Sequence, residues 1–297
     1  EGLCLFYGIV LSVMTCFCWG CTSVFLRALT HLDSCEMSLL RSLGSFIASM
    51  TLMTAMASGS HLATLGYYDA GVLVFLVLFN NVIGDVFLFL SLHKLGVARG
   101  SSISSTYPVF VAIFSHLFFG EKLTVFVVCG TLCVVVGVAC LCMKGNEQRK
   151  LSVHGVMLAV MASICWSIGL ILNKYMLARG VQPDVVVIGR SIVFLIISIF
   201  VWTADATFIA NKKGKWKNIF RRESIFAMLA GMMSLTFGAY FYSCALEHIP
   251  ASVATPIGAA NPLLAAIAAL IIFKEKLLPV QWFGIALAIV GSILVTL

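Results

Sequence analysis

The stretch 95–124 of this chain, LGVARGSSISSTYPVFVAIFSHLFFGEKLT, returns in the second half at 249–278 as IPASVATPIGAANPLLAAIAALIIFKEKLL. In that register Pro108 falls on Pro262, Phe119 on Phe273, and Glu121, Lys122 and Leu123 on Glu275, Lys276 and Leu277. Gly130 then meets Gly284 and Gly137 meets Gly291, so the register survives into the next segment. Each copy reads as an apolar helix with a proline near its middle and a Glu-Lys pair at its end. Proline removes one backbone hydrogen bond, which a membrane helix tolerates only beside protein or a watery cavity. Interrupted helices at matching places in two halves point to the central site of a transporter.

Composition agrees with a membrane chain. Hydrophobic residues make up 61% of the 297 and charged ones 10%, where soluble domains sit near one half and one quarter. At roughly 20 apolar residues per crossing, the length predicts about ten helices and almost no soluble domain. The expected spans are 5–29, 34–57, 69–92, 100–120 and 125–143, then 153–177, 183–203, 224–246, 252–273 and 280–297. Between the sets lies a polar hinge at 144–150, the one convincing midpoint linker. After it the pattern restarts: Gly8 maps onto Gly155, Trp19 onto Trp166, Arg41-Ser42 onto Arg190-Ser191, and Gly84 onto Gly238. The fold class expected is an all-α integral membrane protein of ten transmembrane helices, built as two five-helix repeats, 1–147 and 148–297. An odd helix count per repeat inserts the second copy upside down, giving an inverted repeat. The first apolar segment lacks a basic n-region and recurs mid-chain, so it reads as a packed helix and not a cleaved signal peptide.

The net charge of +7 is mainly a topology signal in such a chain. Lys and Arg crowd the loops after helices one, three, five, seven and nine, most densely at Lys212, Lys213, Lys215, Lys217, Arg221 and Arg222. The positive-inside rule places those loops in the cytoplasm and both termini outside.

Taken together, the paired Pro-x12-Glu-Lys-Leu element, a Trp early in each half and an Arg in each second helix resemble the EamA-type family of the drug/metabolite transporter superfamily. The resemblance covers essentially the whole chain. It implies ten helices around a central cavity and export or exchange of small metabolites, amino acids among them. Ten-helix members of that superfamily are usually described with both termini in the cytoplasm, the opposite of what the loop charges indicate here.

Among single residues Asp85 is the sharpest candidate. A carboxylate inside an apolar helix costs about 2.5 kcal/mol or more and reads as functional by default. Lipid cannot solvate it, so it must face water, meet a cationic partner or keep its proton. Asn81 lies one turn earlier on the same face, whereas Asn80 falls about 100° round the helix. The second-half counterpart of Asp85 is Ala239, flanked by Tyr240 and Tyr242, so any coupling charge is asymmetric. Arg41 and Arg190 occupy matching places on opposite sides of the membrane and read either as snorkelling side chains or as gates and anion contacts. Trp19 and Trp166 either line the cavity or pack. The polar run ending in Tyr107 before Pro108, and its counterpart ending in Asn261 before Pro262, can present backbone groups to a ligand, with the two prolines as bends at the cavity. Asn173 and Lys174 read as interface anchors, the Glu-Lys pairs as helix ends at the interface, and the paired glycines as smooth faces for close helix contact.

Other chemistry is not signalled. There is no P-loop, HExxH or GxSxG, so an enzyme is not expected, and Cys18 and Cys21 form an isolated CxxC that reads as small apolar packing. No cofactor, metal or nucleic acid is implied. The expectation is a secondary active transporter of small organic metabolites, amino acids or similar, exporting by alternating access, with an uncoupled facilitator as the alternative. Its partners would be a small-molecule substrate, with proton coupling through Asp85, and membrane lipids, in a monomer or homodimer of the plasma (inner) membrane.

Overall fold

The computed structural model describes residues 2–26, 32, 34–63, 65–142, 152–204, 224–271 and 278–297, and every regular element among them is helical. The first half contains α1 (Gly2–Leu26), α2 (Ser34–Ala55), the short α3 (Gly59–Ala63), α4 (Tyr67–Val77), α5 (Gly84–Leu95), α6 (Val97–Ser104), α7 (Tyr107–Phe119) and α8 (Val125–Cys142). The second half contains α9 (Val153–Ala178), α10 (Pro183–Ala204), α11 (Ser224–Gly231), α12 (Ala239–Leu246), α13 (Ala251–Ala259), α14 (Asn261–Ile271) and α15 (Pro279–Leu294). Several expected features lie outside the described residues: the hinge at 144–150 with the repeat boundary inside it, the basic run at 212–222, Arg27, and the pair Glu275-Lys276.

Among the described residues seven stretches are long and apolar enough to cross a membrane: Gly2–Thr22, Tyr67–Leu95, Arg99–Phe119, Val125–Cys142, Val153–Ala178, Pro183–Ala204 and Ser224–Leu246. Their outer faces are apolar, with Phe6, Phe118 and Phe200 all exposed, as a lipid-facing surface requires. The chain is a multi-pass integral membrane protein. α15 is apolar but shorter than these seven. α2 is long enough but carries a polar face of Ser42, Ser45 and Ser49, all wholly buried. That face is spent inside the protein: Ser45 shares a hydrogen bond with Thr236 at 3.0 Å, and Ser49 meets Ser191 of α10.

The two halves interleave. α1 packs along α11 to α14 of the second half, α9 packs along α4 to α7 of the first, and α2 lies against α10 and α11. α8 and α15 close against one another through the glycines that the sequence aligns. A Cβ on Gly137 would stand 2.8 Å from the Gly284 carbonyl oxygen, and one on Gly291 would stand 2.6 Å from that of Gly130. Only glycine permits so close a backbone approach.

Two distortions recur at matching positions. The third helix of each half widens into a π-helical stretch, Leu78–Ile83 between α4 and α5 and Met232–Gly238 between α11 and α12. Such bulges inside α-helices concentrate at functional sites. The fourth helix of each half is broken just before its proline, at Ser105–Thr106 before Tyr107-Pro108 and at Ala260 before Asn261-Pro262.

Candidate functional site

The breaks are repaired by side chains chosen for the purpose. Pro108 has no N–H for the Ser104 carbonyl one turn back, and the Ser163 hydroxyl of α9 donates to that oxygen at 2.7 Å. One turn along α9, Ser167 donates to the Tyr107 carbonyl at 2.9 Å. In the second half Pro262 orphans the Gly258 carbonyl, which accepts instead from the Asn261 side-chain amide at 3.2 Å.

Each tryptophan crosses to the widened helix of the other half. The Trp166 indole lies so close to Gly84 that a Cβ there would meet its ring at 2.7 Å, and Trp19 stands in the same relation to Gly238. Glycine at both places is therefore a condition for seating the indoles. Trp19 Nε1 donates to the Ser234 carbonyl in the π-helical stretch at 3.2 Å. Trp166 Nε1 donates instead to Asp85 Oδ1 at 3.3 Å, and Tyr107 stands edge-on to the same indole at 6.0 Å. One member of the pair thus meets a backbone group and the other a charge.

A connected polar cluster grows from that difference. Asp85 Oδ2 lies 3.6 Å from Arg41 Nη1 of α2. Arg190 of α10 donates through Nη2 to Asn80 Oδ1 at 3.1 Å, and Asn80 Nδ2 donates to the Trp166 carbonyl at 3.2 Å. Both guanidiniums act electrostatically on Asp85 and on each other. Arg41 and Arg190 thus reach one shared cluster around Asp85. Each lies seven residues into a helix that starts at the opposite end, about 10.5 Å deep at 1.5 Å per residue. In a core of about 30 Å that leaves roughly 9 Å, which two arginine side chains bridge. Neither snorkels outward; Arg190 is buried.

The cluster borders a cleft of about 70 Å³ between α2, the π-helical stretch with α5, and the end of α10. Ser38, Asn81, Asp85, Phe194 and Ser198 line it. Asn81 is buried and its carboxamide oxygen has no hydrogen-bond partner, as is true of the Ser198 hydroxyl. Of the residues singled out in the sequence, the structure brings Asp85, Asn81, Trp166, Tyr107, Arg41 and Arg190 together beside Pro108. It does not bring the others to Asp85. Trp19 packs 5.7 Å from Tyr242, Asn261 serves the backbone beside Pro262, and Tyr240 hydrogen-bonds Cys244 near Asp184 and Glu247.

A second polar assembly ties the end where α7 and α9 finish and α13 begins. The N-cap of α13 is Pro250, which offers no side-chain cap. Glu121 supplies one from the other half: Oε1 accepts from Ala251 N at 2.8 Å, and Oε2 accepts from Ser252 N at 2.9 Å and Ser252 Oγ at 2.6 Å. Lys174 pairs with the same carboxylate and lies over the Phe119 ring at 5.0 Å. Glu121, just past the end of α7, and Lys174, in the last turns of α9, are thus partners of one another. Asn173 likewise is buried, donating to Ser243 at 3.0 Å. At the same end Arg179 Nε donates to Asp69 at 2.8 Å, and Ser58 donates to Asp184.

Sequence reasoning missed Asn80, Ser163, Ser167 and the reach of Glu121. Asn80 was visible beside Asn81, but the widened turn that carries it leaves no mark in hydropathy.

The model of the EamA-like transporter family matches residues 6–143 and again 153–297, nearly all of the chain in two copies. Over 155 residues the chain is 23% identical to the "Uncharacterized transporter YwfM" of Bacillus subtilis (strain 168), covering 51% of this chain and 48% of that protein. Over 134 residues it is 26% identical to an "Uncharacterized transporter" of Archaeoglobus fulgidus, covering 45% and 47%. The chain therefore spans about half the length of the curated relatives it matches. A solved structure described only as "Crystal structure of protein" superposes with a TM-score of 0.78 over 97% of this chain and 95% of its own, at 15% identity, and so shares the fold. With a family match that spans both halves, the paired prolines and the interleaved helices, the chain belongs to the EamA-like transporter family.

Proposed function

We propose that this chain is a secondary active transporter that moves a small organic metabolite, an amino acid or similar, outward across the plasma (inner) membrane by alternating access. In this reading the ten helical rods, broken ones counted whole, all cross the bilayer. They form two inverted five-helix repeats meeting between residues 147 and 148, and the unit is a monomer or homodimer. Asp85 is the coupling group, Arg41 and Arg190 are its gating partners, and Asn81, Trp166 and Tyr107 contact substrate. Trp19, Tyr240 and Asn261 shape the opposite half of the pathway, and Pro108 and Pro262 hold the bends beside it.

The observation that carries the reading is the buried Arg41–Asp85–Trp166–Asn80–Arg190 cluster, set beside a π-helical stretch and a broken helix. Charges in the membrane interior that face other helices mark solute or ion pathways. Alternating access draws on the unlike ends: the Glu121–Lys174 and Asp69–Arg179 pairs bridge one, beside a cleft of about 200 Å³ lined by Asp69 and Arg179, and the cleft beside Asp85 lies toward the other. The uncoupled facilitator draws support from the Arg41–Asp85 pair, which a static lock would also contain.

The test is Asp85→Asn, which keeps the shape and removes the charge. In reconstituted vesicles the variant is expected to lose pH-gradient-driven uptake at least severalfold while its thermal melting stays near that of the wild type. Unchanged pH-dependent uptake would transfer the reading to the facilitator.

A further inference from the structure

The charge balance of the central cluster carries one step more. Among the described residues two guanidiniums face one carboxylate, an excess of one positive charge, and the charges that act on Arg190 are those of Arg41 and Asp85. Glu36, buried in the first turn of α2, has a partner of its own and is not among them. An uncompensated ion away from water is heavily penalised. The hydrogen bonding is as incomplete as the charge. Among the described residues Arg190 makes one hydrogen bond, to Asn80, and Arg41 Nε is buried with no partner. The Arg41–Asp85 contact of 3.6 Å is longer than the ~2.8 Å of a charge-assisted hydrogen bond. The pair is electrostatic but loose.

Neither arginine lines the cleft, which ends one helical turn short of each. Ser38 and Phe194 line it, and Arg41 and Arg190 are the next residues on the same helix faces, one turn deeper in each case. Its walls add Ser198, whose buried hydroxyl is free to donate, and Asn81, whose unpartnered carboxamide oxygen can only accept. At about 70 Å³ the cleft is on the order of half a cavity that admits benzene, enough for a carboxylate and a short apolar stem against Val82, Val86 and Ile197.

We propose that this cleft receives the carboxylate of a singly charged organic acid, which Arg41 and Arg190 bind in place of Asp85, with the Ser198 hydroxyl as an added donor. The inference rests on the carrier reading above and names its substrate class. One negative charge neutralises the excess; a phosphate monoester dianion would overshoot it, and a cation would add to it. Planar guanidinium groups also match a carboxylate in a way that they do not match a neutral amide.

Thermal stabilisation of the purified full chain by four probes, propionate, propionamide, propylammonium and methyl phosphate, tests it. Propionate alone is expected to raise the melting temperature in a saturable way. Arg190→Gln should weaken that binding by about thirtyfold or more. Asp85→Asn, which removes the competing carboxylate, should tighten it, and this variant decides the matter even if Arg190→Gln does not fold. Stabilisation by propionamide or propylammonium equal to that by propionate, or loss of propionate binding in Asp85→Asn, overturns the proposal. Vesicle transport separates the two readings. Propionate binding with no solute moved would sink the carrier and keep the subsite, whereas transport of a neutral or cationic solute without propionate binding would do the reverse.

Discussion

Replacing Glu121 with Gln is expected to loosen the end of the molecule that its carboxylate ties together. Glu121 accepts two backbone N–H groups and one hydroxyl at 2.6 to 2.9 Å and pairs with Lys174, and both side chains are largely buried, at 7% and 15% exposure. A glutamine amide keeps one acceptor oxygen, so at least one of the three donors meets an NH₂ group instead. Hydrogen bonds to a charged acceptor contribute about 1.5–3 kcal/mol each, and an ammonium left unpaired adds to the loss. Discounting for the partial exposure, Glu121→Gln should cost roughly 3 kcal/mol. At about 2–4 °C per kcal/mol for a large chain, the melting temperature should fall by about 6 to 12 °C. Lys174→Met should cost much less, about 1 kcal/mol, because the carboxylate keeps its three donors at the positive end of α13. Differential scanning fluorimetry of both variants in detergent reads the order. If Glu121→Gln melts with the wild type, or if Lys174→Met is the more damaging change, the capping argument is wrong.

Ser163→Ala should destabilise by about 1–2 kcal/mol, because the Ser104 carbonyl that Pro108 leaves free loses its donor. In a Pro108→Ala background, where alanine restores the N–H, the same change should cost little; additive losses in the melting cycle would refute the repair. Single cysteines at Asn146 and Gly214, in a background stripped of native cysteines, should resist impermeant thiol reagents in whole cells, as cytoplasmic loops do. Ready labelling of both from outside would reverse the topology.

Much of the scaffold was legible because a duplicated sequence states its own constraints. The aligned glycines at 130 and 284, and at 137 and 291, showed smooth faces, and the structure presses those faces together along α8 and α15. Asp85 stood out because an ionisable group in an apolar run needs a partner, and Arg41, on a neighbouring helix, is that partner. What stayed hidden depends on relations between helices. Neither helix alone shows that Arg41 and Arg190, each seven residues from a helix start, act on the same carboxylate. Glu121 caps a helix 130 residues away, a distance that no local pattern reports. The π-helical stretches at Leu78–Ile83 and Met232–Gly238 have no proline, and the polar pair Asn80-Asn81 of the first marks a polar spot without announcing a widened turn. Asn261 and Tyr240 were grouped with Asp85 by repeat position, yet the one is occupied with the Gly258 carbonyl and the other neighbours Asp184 and Glu247.

The central claim, that this chain carries solutes by alternating access, is tested most directly by counterflow. Vesicles reconstituted with the full chain are loaded in turn with unlabelled amino acids, short organic acids, sugars, nucleosides and cationic drugs, and labelled solute of the same kind is added outside. A carrier moves one solute per change of orientation, so for at least one of them the label should transiently accumulate inside above its external concentration, and Arg190→Gln should abolish the overshoot. Label that only equilibrates, at a rate indifferent to unlabelled solute on the far side, would contradict the account and describe a pore.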